Sequence, residues 1–229
     1  LVLLNNAGFA QNFLPPVTNY SSKTYNAASQ NWGLSTDDNG TLYAANNEGL
    51  LRFDGQRWEV FTLPNKTAIR SVFCVNDRIY TGSYEEFGYW TEDAYGSLQY
   101  TSLSNLITTS FANEEIWQIT LWQGAVVFRS FGNLYLYNGN SITTHKPKTI
   151  ITALHIEENR LFIGSNYGEI FGFTDDTFSS FAENTLNESS IIELSTYEEA
   201  LLAGTRRQGI FALQNGTFTS WGTPELKAF

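Results

Sequence analysis

Residues 46–61 read NNEGLLRFDGQRWEVF. Gly49 opens an alternating run, Asp54-Gly55 interrupts it, and an aromatic run resumes at Trp58. Asp-Gly between two strand-like runs signals a hairpin, because the tight turn needs positive φ and glycine adopts it without steric cost. Related stretches follow along the chain: LYAANNEGLLRF from Leu42, IYTGSYEEFGYW from Ile79, VVFRSFGNLYLY from Val126, LFIGSNYGEIFGF from Leu161 and LLAGTRRQGIFAL from Leu201. Aligning Ala45, Gly82, Arg129, Gly164 and Gly204 gives steps of 37, 47, 35 and 40 residues. A period near 40 that holds only strand signals is the period of a β-propeller with four strands per blade. Helical arrays would show a 3.6-residue apolar period, and none is visible.

Each unit divides strand by strand. Strand A carries NWGL (from Asn31), IRSV (Ile69), IWQI (Ile116), ITAL (Ile151) and IIEL (Ile191). Polar turns such as DDNG (37–40), NDR (76–78) and EEN (157–159) lead to strand B, which ends at the aligned small residue. Strand C runs to Asp54-Gly55, Asn138-Gly139 or Asn215-Gly216, and strand D follows as RWEVF from Arg57 or TFTSW from Thr217. The opening stretch is therefore strands C and D of the first blade. It recurs because one blade cannot bury both of its faces without neighbours. The expected fold is all-β, a partial propeller over 30–229 with blades near 30–66, 67–113, 114–148, 149–188 and 189–222. Residues 11–29, strand-like at VTNYS, are expected to supply a terminal strand that closes the ring and removes exposed edges. The final TPELKAF reads as a connection onward, which favours five blades of a larger propeller over a closed five-bladed ring.

Composition agrees. In 229 residues, 42% are hydrophobic and 15% aromatic, and Gly (18) far exceeds Pro (5), a balance that favours strands and tight turns. The net charge of −10 argues against gripping nucleic acid, which needs clustered Lys and Arg. One cysteine excludes an intrachain disulfide. Residues 1–10 resemble the tail of a secretory signal peptide: a short apolar run, then Gly8 and Ala10 at positions −3 and −1 of a cut before Gln11. No later run approaches the roughly 18 apolar residues of a membrane span.

The chemistry-bearing residues point away from catalysis. No HExxH, GxSxG, P-loop or CxxC occurs. The acidic doublets Asp37-Asp38, Glu157-Glu158 and Glu198-Glu199 fall in A–B turns, where hydration and turn formation explain them. His145 and His155 lack a third ligand, so no metal is expected, and no cofactor. Cys74, in SVFCV, reads as a buried small apolar residue. The sequons at Asn39, Asn65, Asn187 and Asn215 sit in turns and need no glycan to explain them.

Binding is the stronger expectation. In a propeller the D–A and B–C loops share one face around the channel mouth, and strand A lines the channel. That puts Trp32, Arg70 and Trp117 near the axis, with Asn46, Asn47, Glu85, Glu86, Asn166, Tyr167, Arg206 and Arg207 on the rim. Aromatic rings beside directional polar groups suit a sugar or another polar ligand. Arg206-Arg207, the only Arg pair in the chain, is expected to face Glu85-Glu86 across the mouth.

Residues 12–90 resemble the start of bacterial two-component-regulator-propeller proteins that carry a triple-tyrosine domain. The resemblance rests on Asn19-Tyr20, Gln30-Asn31-Trp32, ANNEGLLRFDG, LPNKTAIRS and EEFGYW, and thins toward Phe229. It implies a periplasmic propeller of seven or more blades, then a β-sandwich, a membrane helix and a cytoplasmic output, either a LuxR-type helix-turn-helix or a histidine kinase. On that reading the chain is a ligand sensor for a polar small molecule or oligosaccharide. It is anchored only through a region beyond this sequence, and the full-length protein could form a homodimer. The alternatives are a cell-envelope interaction scaffold and, less favoured for want of a convergent acid–base set, a propeller lyase or glycosidase.

Overall fold

The computed structural model describes residues 17–182, 186 and 189–222. These form five four-stranded antiparallel sheets, each a simple meander. The first blade is β1 (Asn31–Thr36), β2 (Leu42–Asn46), β3 (Gly49–Phe53) and β4 (Trp58–Phe61). The second is β5 (Ile69–Val75), β6 (Arg78–Ser83), β7 (Phe87–Glu92) and β8 (Leu98–Ser102). The third is β9 (Gln118–Trp122), β10 (Ala125–Arg129), β11 (Leu134–Tyr137) and β12 (Ile142–His145). The fourth is β13 (Ile151–Glu157), β14 (Arg160–Ser165), β15 (Ile170–Thr174) and β16 (Thr177–Ser180). The fifth is β17 (Ile191–Tyr197), β18 (Ala200–Thr205), β19 (Ile210–Gln214) and β20 (Thr217–Ser220). The all-β propeller reading and the blade count are what the chain adopts.

The core lies between blades rather than within them. Along β2 and β3 the period of two sends Tyr43, Ala45 and Leu50 toward the second blade, where they pack on Ile69, Val72 and Trp90. The alternate residues Ala44 and Leu51 face the opposite way. Phe87 and Tyr80 meet Phe128 and Tyr135 across the next joint, Val127 and Leu134 meet Ile151 and Ile163, and Phe162 and Ile170 meet Ile191 and Leu201. The first strands of successive blades touch, β1 on β5, β5 on β9 and β13 on β17, which places them innermost.

The segment before the first blade departs from expectation. Residues 17–30 contain no strand; Ser22–Tyr25 form a single helical turn, α1, closed by Asn26 in the left-handed region at φ 53°. Tyr25 is buried against Ala44, Leu51 and Trp58, and Tyr20 stacks near Phe53 and Trp58. The segment caps the free face of the first blade with the buried ring of Tyr25 and the exposed ring of Tyr20, and these aromatic contacts stand in place of the expected edge-strand pairing. The outermost place in the fifth blade is filled by its own β20. The expected signal remnant (1–10), the start of the closing segment (11–16), the sequon at Asn187 and TPELKAF lie outside the described residues.

Among the described residues, much of the fifth blade's innermost strand is left uncovered. In β17 only Ile191 and Leu194 are buried, while Ile192 and Tyr197 are exposed. No helix among the described residues is long and apolar enough to cross a membrane.

Candidate functional site: an arginine–tryptophan cluster at the channel mouth

One irregularity recurs at the entry of the innermost strands. In the first blade Asn31 pairs with Asn46 and Gly33 with Ala45, so Trp32 has no partner of its own. The same skip occurs at Arg70, Thr152 and Ile192. In the third blade the Trp117 backbone N–H donates to the Arg129 carbonyl at 2.9 Å, one residue before β9 begins. A β-bulge re-aims the side chain it carries. Here it sets Trp32, Arg70, Thr152 and Ile192 at one end of their blades' inner strands, and Trp117 stands at the matching point just before β9.

Three of the five converge. The Arg70 guanidinium lies 4.3 Å from the Trp32 ring centre and 5.5 Å from that of Trp117, and the two indoles meet edge-on at 5.7 Å. Arg70 Nε donates to Glu115 Oε1 at 2.6 Å, and its Nη1 donates to Asn47 Oδ1 at 2.9 Å. Asn47 Oδ1 also accepts from Trp32 Nε1 at 2.8 Å, so one amide oxygen ties two blades together. Past Trp117 the surface continues to Phe131, 5.5 Å away and 47% exposed, with the Arg129 guanidinium 5.9 Å from that ring. Trp32 remains 39% exposed, so part of its indole is open to solvent beside a fixed cation.

Arg129 is buried, 6% exposed. Its Nη1 donates to the Ile151 carbonyl at 3.1 Å, but its Nε has no partner, and Trp117 Nε1 is likewise buried without an acceptor. Burial pushes the Arg129 guanidinium down to about 10, against the longer-range pull of Glu193.

The other expected residues scatter. Asn46 is fully buried: its Nδ2 donates to the Ala28 and Gln30 carbonyls and to Asn31 Oδ1, and its Oδ1 accepts from the Glu48 N–H. Its place is in holding the chain before the first blade, not on the rim. Glu86 turns to the outer strand, where Oε1 accepts from the Tyr100, Ser102 and Ser104 hydroxyls. Burial, reinforced by that carboxylate, raises the Tyr100 phenol. Glu85, at φ 53°, accepts the Asn113 N–H at 2.6 Å. Both acids therefore have local partners, and neither pairs with Arg206 or Arg207, whose exposed guanidiniums have no acceptor among the described residues. Asn166 joins the fourth and fifth blades, its carbonyl accepting from the Ser190 hydroxyl, and Tyr167 lies exposed beside Lys146 and Lys148 in a lateral groove.

Glu115, Phe131 and Arg129 complete the cluster and escaped the sequence reading. Arg129 left a signal, since the aligned positions of the other blades hold Ala45, Gly82, Gly164 and Gly204. Glu115 left none, because it lies in the irregular D–A loop. No group of three or more His, Cys, Asp or Glu among the described residues could hold a metal ion.

No family model matches the chain, and no curated protein matches it. Solved structures of like fold do. The extracellular domain of a hybrid two-component system from B. thetaiotaomicron is 17% identical with a TM-score of 0.64, over 80% of this chain and 27% of that one. The virginiamycin B lyase of Staphylococcus aureus is 12% identical with a TM-score of 0.66, over 85% of this chain and 70% of that one. The β-propeller domain of Cps50 (Swd1) from Myceliophteria thermophila is 14% identical with a TM-score of 0.65, over 84% and 72%. At these identities the likeness establishes the propeller fold. The chain spans about a quarter of the length of the two-component extracellular domain.

Proposed function

We propose that this chain is the ligand-sensing part of a periplasmic propeller in a membrane-anchored signal-transduction or transcription regulator, and that it binds a polar ligand, foremost a glycan, at the channel mouth. The observation that carries this reading is the Arg70 cluster. Sugars offer apolar C–H faces and directional hydroxyls, and they are recognised by aromatic rings flanked by fixed donors and acceptors. Trp32 offers the ring, and Arg70, Asn47 and Glu115 offer a polar set already fixed in place, so binding loses little side-chain entropy. The likeness to a two-component extracellular domain supports the sensor role. The lyase reading draws on fold likeness alone: His145 sits on an outermost strand, and His155 hydrogen-bonds Thr196 in the next blade.

The test is a glycan panel titrated against the full-length polypeptide, read by tryptophan fluorescence and calorimetry. Trp32→Ala is expected to weaken binding by about tenfold or more while leaving the fold intact, because the ring is partly exposed. Binding of a protein partner instead, with no glycan bound at millimolar concentration, would favour the envelope scaffold.

A further inference from the structure

A groove of about 600 Å³ lies between the loop that joins β12 to β13 and the outer half of the fourth blade, and it shares no residue with the Arg70 cluster. Its volume is that of a small-molecule site. Phe171 on β15 and Phe178 on β16 stand half-buried in it, and Tyr167 beside them is exposed. Both walls are fixed. The Ser165 hydroxyl accepts from the Tyr167 and Glu169 N–H groups and donates to Glu169 Oε2 at 3.0 Å, so the turn that presents Tyr167 is tied from within. On the other wall Pro147 is buried and stiffens the loop, with Lys146 and Lys148 exposed on either side of it. The Asn166 N–H donates to the Ile150 carbonyl at 3.2 Å and ties one wall to the other.

The charges of the groove are unequally engaged. Glu169 is held by Ser165, and Asp176 Oδ1 lies 3.5 Å from His145 Nε2. Lys146 and Lys148 have no carboxylate within ion-pair distance among the described residues. Two residues apart, their Cα atoms are separated by no more than about 7 Å, so two flexible stems can bring both ammonium groups to one carboxylate. Left alone, two such cations repel each other, and an anion between them relieves that repulsion.

We propose that this groove is a second ligand site, which takes a small aromatic carboxylate. The ligand's ring lies against Tyr167 and Phe171, and its carboxylate accepts from the Lys146 and Lys148 ammonium groups. Because the walls are tied before the ligand arrives, binding orders little besides the two lysine side chains. The site is independent of the glycan reading at the mouth.

Indole-3-propionate and phenylpropionate, each paired with its amide, are titrated into the full-length polypeptide by calorimetry. Wild type is expected to bind each acid about fivefold or more tightly than its amide, the worth of two exposed ion pairs, and to lose that preference as salt is raised. The double variant Lys146→Gln/Lys148→Gln is expected to bind acid and amide alike at unchanged Tm, because both side chains are exposed. Tyr167→Ala is expected to lose several-fold on acid and amide together. Equal binding of acid and amide by wild type, an acid preference that survives the double substitution, or acid binding untouched by Tyr167→Ala overturns the site. So does failure of the acids to bind at millimolar concentration, and none of these results bears on the glycan reading.

Discussion

The Arg70–Glu115 pair can be tested without any ligand. Its N–O distance is 2.6 Å, and the two side chains keep 21% and 23% exposure, so the pair is neither a solvated surface bridge nor a fully buried one. A charge-assisted hydrogen bond contributes about 1.5–3 kcal/mol when shielded; partial solvation reduces this to about 1–2 kcal/mol here. Stacking of the guanidinium on two indoles adds about 0.5–2 kcal/mol. Arg70→Met keeps an apolar stem between the rings and loses the charge and both hydrogen bonds, for a net cost of about 2 kcal/mol. Glu115→Gln keeps a neutral acceptor and costs about 1 kcal/mol. Because each substitution removes the same bond, the double variant should cost less than the two singles together, with a coupling of about 1 kcal/mol. Urea unfolding at constant slope measures all three, and for a chain of this size 2 kcal/mol corresponds to a Tm fall of about 4–8 °C. Additive costs, within about 0.3 kcal/mol, would show that the pair is solvated in solution. The case for a preorganised polar set at the mouth would then fail.

Two further outcomes follow from the joints between blades. His155 donates to or accepts from Thr196 across the fourth joint at 2.8 Å, and burial lowers its pKa below the ordinary histidine value, against Glu157 and Glu193. The native state thus prefers the neutral ring: its contribution to stability is whole above the unfolded pKa near 6.5 and is lost as pH falls from there through the lower folded value. His155→Gln should flatten the fall in urea midpoint between pH 7 and 5, and an unchanged pH profile would refute this. At the second joint a Cβ on Gly82 would collide with the Ile116 side chain and the Ser71 hydroxyl, so Gly82→Ala should lower stability by about 1–3 kcal/mol. Gly172→Ala meets only Phe181 at 4.0 Å and should be near neutral in the same thermal melts.

The fold was legible because its signals are local and repeated. Asp54-Gly55 fixes one turn, the period of two fixes the two faces of β2 and β3, and five copies of that pattern leave little choice of architecture. The segment at 17–30 misled because VTNYS is strand-like in isolation, whereas Tyr20 and Tyr25 are captured by Trp58, a contact that local pattern cannot show. The site was half legible for a related reason. Trp32, Arg70 and Trp117 stand at the same point of the repeat, one residue before the aligned inner-strand position, so strand counting alone brings them to the mouth. What strand counting misses is the bulge, which breaks the period of two and turns side chains toward the mouth that alternation would assign to a blade face. Asn46 and Asn47 show the consequence most sharply. They are adjacent, identical in type and equally plausible on the rim. Yet the register that leaves Trp32 unpaired gives Asn46 the Ala28 and Gln30 carbonyls and leaves the amide oxygen of Asn47 to bridge Trp32 and Arg70. One skipped residue in the ladder therefore decides which asparagine holds the chain and which bridges Trp32 and Arg70.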